Sequence, residues 1–172
     1  MSTDKSGIHG EVTWEIHGPD GALKKTGKAY NMITDTGDAM YGSNGAGGGT
    51  ITPTAKPTGM KLGTGGTAVA KNGAGSALTT YLSNSHQAFD SGFPSGADAA
   101  GAGYTVTYKV TYAAGKATSA SAITEAVIVT DTLADATSTA ANTASRVLLT
   151  GIGSKGASDT LTVTWTHKLL GS

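Results

Sequence analysis

The chain has 172 residues with 12 basic and 12 acidic side chains, for zero formal net charge. Without excess positive charge to neutralise a phosphate backbone, nucleic acid is not an expected partner. Cysteine is absent, which excludes disulfides, thiolate nucleophiles and cysteine metal sites. No apolar run approaches the ~20 residues of a membrane helix, so no membrane partner is expected either. The 26 glycines, about twice the usual share of ~7%, predict many turns and long loops. The opening "MSTDKSG" lacks the apolar core of a secretory leader. It reads as a flexible N-terminus over residues 1–6 of a protein made in the cytoplasm.

The first predicted strand lies in "GIHGEVTWEIHG". Ile8, Val12, Trp14 and Ile16 share one face with Gly10, while His9, Glu11, Thr13, Glu15 and His17 share the other. "GPDG" supplies turn chemistry, and "ALKKTGKAYNMIT" runs back, predicting a β-hairpin over residues 8–33. "TDTGDAMYG" predicts one short helix over residues 34–41, capped by Thr34 or Asp35 and stopped by Gly42. Residues 42–59, "GSNGAGGGTITPTAKPTG", carry neither period and predict an extended loop. "MKLG" predicts a short strand, and a poorly patterned stretch follows to about Gly103. "YTVTYKVTY" sets Tyr104, Val106, Tyr108, Val110 and Tyr112 on one face, expected to pack in the core. "AITEAVIVT", "SRVLLTGI" and the closing "SDTLTVTWTHKLL" complete the strands. In the last, Leu161, Val163, Trp165 and His167 oppose a row of threonines. Such an apolar strand is expected between neighbours, since an unpaired apolar edge aggregates. The whole chain, 1–172, therefore reads as one all-β domain, a two-sheet antiparallel sandwich of jelly-roll type with long Gly-rich loops.

Chemistry is sparse. "LGTGGTA" has glycines but no following helix, so turn glycines outweigh a phosphate loop. His9, Glu11, Glu15 and His17 are the best metal candidate, yet a full site needs ligands from another strand. His86 with Asp90 and a serine makes only a nominal triad, because triads are defined by geometry. Trp14 and Trp165 fall on apolar faces and read as core. No cofactor and no catalytic residue is expected.

Four stretches taken in order resemble small β-rich virion proteins of tailed bacteriophages. They are "NMITDTG" (Asn31 to Gly37), "LGTGGTA" (Leu62 to Ala68), "AITEAVI" (Ala122 to Ile128) and "SDTLTVTWT" (Ser158 to Thr166). The resemblance implies a virion structural protein, a capsid decoration or cement subunit rather than an enzyme. Its partners would be the major capsid protein or other virion subunits, and it would form a homo-oligomer. A tail or fibre module binding a host glycan or receptor is the alternative. In either case the 42–59 loop is the expected contact surface, through Gly47, Gly48, Thr50, Ile51, Pro53 and Pro57, because loops this long usually have a function.

Overall fold

The computed structural model describes residues 8–45, 55–98 and 103–169. It is all-β with one α-helix. Nine antiparallel strands occur among the described residues. They are β1 (Ile8–His17), β2 (Leu23–Ile33), β3 (Gly59–Gly63), β4 (Gln87–Ala88), β5 (Ser95–Asp98), β6 (Tyr104–Tyr112), β7 (Glu125–Val129), β8 (Thr143–Leu148) and β9 (Thr160–Leu169). They form a single curled sheet in the order β4-β3-β7-β8-β2-β1-β9-β6-β5. The separate pair of sheets expected of a sandwich is replaced by continuity, and β2 is the reason. Its 11 residues pair with β1 from Leu23 to Asn31, and its last two, Met32 and Ile33, pair with β8. One long strand thus joins what would otherwise be two sheets.

The opening hairpin and the terminal strand form as expected. β1 pairs with β2 on one side and β9 on the other, and β9 is held between β1 and β6. The inward faces of these strands bring Val12, Trp14, Ile16, Val110, Tyr112, Leu161, Val163 and Trp165 into one buried core. Trp14 packs on Gly27, its partner across the hairpin, where a Cβ would lie 2.4 Å from the indole. The tyrosine stripe is buried only in part. Tyr108 and Tyr112 are core, but Tyr104 is half exposed. It begins β6 at the end of the sheet, where it pairs with Leu169 and with Asp98 of the exposed edge strand β5.

The helix α1 (Asp35–Gly45) starts where predicted and runs further. Thr34 accepts a hydrogen bond from the Gly37 N–H through its hydroxyl and donates that hydroxyl to the Thr143 carbonyl, so the cap also ties the helix to β8. Gly37 lets α1 approach β8 closely, since a Cβ there would lie 2.1 Å from the Ala144 carbonyl oxygen. Gly42 does not stop the helix. It lacks the left-handed φ of a terminating glycine and has open space around it. Residues 42–45 are therefore helical and Gly59 already belongs to β3, which trims the predicted loop at both ends. Gly47, Gly48, Thr50, Ile51 and Pro53, like the predicted N-terminus over 1–6, lie outside the described residues.

β3, β7 and β8 are buried on both faces, which is why they show no alternation. Ala126 and Ile128 face the main core, while Val127 and Val129 face a second cluster with Leu78, beneath the connecting segments. Glu125 and Arg146 share that second face as diagonal neighbours, one residue pair apart along β7 and β8. Both are fully buried, and their ion pair is 2.6 Å long.

Candidate binding site

The site begins with a missing side chain. Gly10 sits in the inward face of β1, opposite Asn31 of β2 on one side and His167 of β9 on the other. A Cβ on Gly10 would fall 1.5 Å from Asn31 Oδ1. Because none is there, Asn31 reaches across β1, and its Nδ2 lies 3.3 Å from His167 Nε2. On the far side of the ring, His167 Nδ1 lies 2.7 Å from the Tyr41 hydroxyl of α1, which lies 3.0 Å from the Tyr108 hydroxyl of β6. Four elements are thereby stitched together by one polar chain.

The protons along that chain have a direction. Ser145 donates its hydroxyl to the Met32 carbonyl at 3.0 Å, so towards Asn31 it accepts, and Nδ2 must face it. The other Nδ2 proton then points at His167 Nε2, which accepts. The imidazole proton therefore sits on Nδ1 and is donated to Tyr41, which passes its own proton to Tyr108. Burial lowers the His167 pKa to about 3, so the ring is neutral as this chain requires. Burial, with the neighbouring Tyr108, holds Tyr41 well above the usual phenol range, and burial raises Tyr108 too. At the end of the relay the Tyr108 hydroxyl has accepted one hydrogen bond and still holds a proton to give.

That proton faces an open groove of about 540 Å³, walled by Met40 and Tyr41 of α1, Tyr104, Val106 and Tyr108 of β6, and Leu169 of β9. Pro57, Pro94, Asn44 and Gly45 complete the walls with Lys56 at the rim. Lys56 is exposed, and is the one charged side chain among these lining residues. The floor is rigid, because Tyr108 is 2% exposed and packs its ring edge-on to His167 at 5.4 Å and beside Phe89 at 5.3 Å. The arrangement can hold an apolar ligand and give it one hydrogen bond and one positive charge. It places no nucleophile beside a base, since His167 faces only a tyrosine and an amide.

Of the residues singled out in the sequence, Pro57 reaches this groove. The histidine and glutamates of β1 turn to other partners: Glu11 lies 3.5 Å from Lys28, and Glu15 lies 3.8 Å from His17. No cluster of three or more metal-ligating side chains forms among the described residues. His86 and Asp90 part company, His86 towards Tyr81 and Asp135, Asp90 towards Thr111. The glycines of "LGTGGTA" serve Glu125. Its Oε1 accepts from the backbone N–H groups of Gly65, Thr79 and Thr80, and its Oε2 from Arg146. A Cβ on Gly65 would lie 2.5 Å from that carboxylate. Sequence reading missed Asn31, Tyr41 and His167 as site residues. The available signal was a glycine and a histidine, each at the centre of an otherwise apolar strand face.

The chain matches no protein-family model, no curated protein and no solved structure.

Proposed function

We propose that the protein is a structural subunit of a tailed-bacteriophage virion, a decoration or cement subunit that binds the outer capsid. Its partners are the major capsid protein or other virion subunits, and it works as a homo-oligomer, by binding rather than catalysis. The resemblance of four ordered stretches supports the family. Three of them are pieces that fix the architecture: "NMITDTG" carries the helix cap, while "LGTGGTA" and "AITEAVI" meet at Glu125. The observation that carries the binding role is the open apolar groove on rigid elements, bordered by Pro57 of the predicted contact loop. Co-sedimentation of the purified protein with capsids that lack it tests the reading. Saturable binding that raises capsid melting temperature is the expected result. Failure to co-sediment, together with binding to host cells, overturns it.

The alternative, a tail or fibre module for a host glycan, draws on a different surface. Tyr30 is 70% exposed on the outer face, with Lys28 Nζ 5.7 Å from its ring centre. It borders a shallow depression with Glu11, Thr166 and Lys168. An aromatic face among polar groups suits a sugar ring, and loss of cell binding in Tyr30→Ala would favour this reading.

A further inference from the structure

The floor of the groove presents a directed donor, and its rim presents a single cation. Both features call for a ligand that the apolar walls alone would not specify. The Tyr108 proton is the terminus of the chain Ser145–Asn31–His167–Tyr41–Tyr108, so its direction is set by four groups behind it. A buried hydroxyl held this way is costly to leave undonated and selects an acceptor such as a peptide carbonyl. The walls offer Tyr41, Tyr104, Pro57, Pro94, Met40 and Leu169, the aromatic and apolar surface on which extended, proline-compatible segments pack. Lys56 adds charge complementarity for an acidic group.

We infer that this groove is the docking site for an extended apolar peptide segment carrying one acidic side chain, supplied by another virion subunit. A backbone carbonyl of the segment takes the Tyr108 proton, its apolar side chains lie on the groove walls, and its carboxylate meets Lys56. The source of the segment rests on the reading of the chain as an assembly subunit; the chemistry of the groove does not.

Two blocked peptides test it, acetyl-Pro-Leu-Glu-Leu-Pro-amide and the same peptide with Gln in place of Glu. Each is titrated into the full chain while methyl and amide shifts are followed by NMR. The expected result is saturable shifts at Met40, Val106 and Leu169, with the Glu peptide binding about tenfold more tightly. Lys56→Gln should erase the preference between the peptides. Tyr108→Phe should weaken both about tenfold. Because Tyr108→Phe also removes the acceptor of Tyr41, the rim variant keeps the test independent of any folding defect. The inference is overturned if neither peptide saturates, if the Glu preference survives in Lys56→Gln, or if the unliganded groove proves filled by residues of the same chain. Capsid binding by the same variants separates the two levels. Capsid binding unchanged by Lys56→Gln and Tyr108→Phe removes the groove but leaves the decoration subunit. Peptide binding without capsid binding does the reverse.

Discussion

At the scale of single residues, the fold rests on two buried polar centres that behave differently. Glu125 is both an ion-pair partner and an anchor, because its carboxylate collects three backbone N–H groups besides the Arg146 guanidinium. Arg146 in turn donates to the Gly75 carbonyl at 2.9 Å, fixing the same connecting segment from the other end. Buried ion pairs can often be replaced by apolar residues at little cost. Here such a replacement strands the backbone groups as well. We predict that Glu125→Gln costs about 3–5 kcal/mol in urea unfolding, and that the double variant Glu125→Leu/Arg146→Leu does not recover it. A double variant as stable as the wild type would show that the anchor is dispensable. His167 makes the second centre, and its signature is pH. Its folded pKa is about 3, against 6.5 for the unconstrained ring, so below pH 6.5 the unfolded chain binds a proton that the native state refuses. Stability is therefore full above pH 6.5 and falls as pH drops towards 3, by up to about 1.4 kcal/mol per pH unit. Asp135, held low by the Asn84 N–H, and Asp159, held low by Lys24, lose their contributions only below the usual carboxylate range near 3.8. Urea midpoints between about pH 6 and pH 4.5 thus isolate the histidine. His167→Gln should flatten the slope there, and an unchanged slope would remove His167 as its source.

At the scale of elements, two glycines of one helix have opposite roles although the sequence presents them alike. Gly37 faces the Ala144 carbonyl with no room for a methyl group, whereas Gly42 faces open space. Gly37→Ala should push α1 off β8 and cost about 1–3 kcal/mol by overpacking. Gly42→Ala should instead stabilise by about 0.5–1 kcal/mol, since alanine loses less freedom than glycine in a helix interior. Thermal melts of the two variants should move in opposite directions, and a shared direction would contradict the packing of α1 on β8. These glycines also mark where the sequence stops being legible. β1, β2, β6 and β9 could be read because one face of each meets the core and the other meets solvent, leaving a period of two. β3 and β7 carry no period because both faces are covered, and their identity rested on short β-branched or apolar runs. β4 and β5, of two and four residues, fall in a stretch without pattern and exist only through their pairing partners. The binding site was less legible still. Asn31, Gly10 and His167 are far apart in sequence, and only the register of β2, β1 and β9 sets them in one row.

At the scale of the whole molecule, the question is how one curled sheet encloses a core without a second sheet to close it. The two ends of the strand order come together through Asp90. This residue follows β4, which pairs with β3 near one end of the sheet, while β6 lies next to the last strand at the other. The Asp90 N–H donates to the Lys109 carbonyl at 2.8 Å, and its carboxylate accepts from the Thr111 N–H at 2.9 Å and the Thr111 hydroxyl at 2.7 Å. Three hydrogen bonds at one residue thus stand where a longer strand pairing would close a barrel. Phe89, beside it, packs against the core and Tyr108, so the seam also borders the floor of the groove. Hydrogen bonds to a charged acceptor contribute about 1.5–3 kcal/mol each when formed in the native state. Loss of the carboxylate in Asp90→Ala should therefore loosen the seam more than the rest of the fold. The Thr111 amide should exchange with solvent much faster, while amides at the centre of β1 and β9 keep exchange rates set by global unfolding. Asp90→Asn, which keeps one acceptor oxygen, should give an intermediate rate at Thr111. If Thr111 exchanges in Asp90→Ala no faster than the centre of β9, the sheet closes by some other means, and Asp90 is merely a turn residue between β4 and β5.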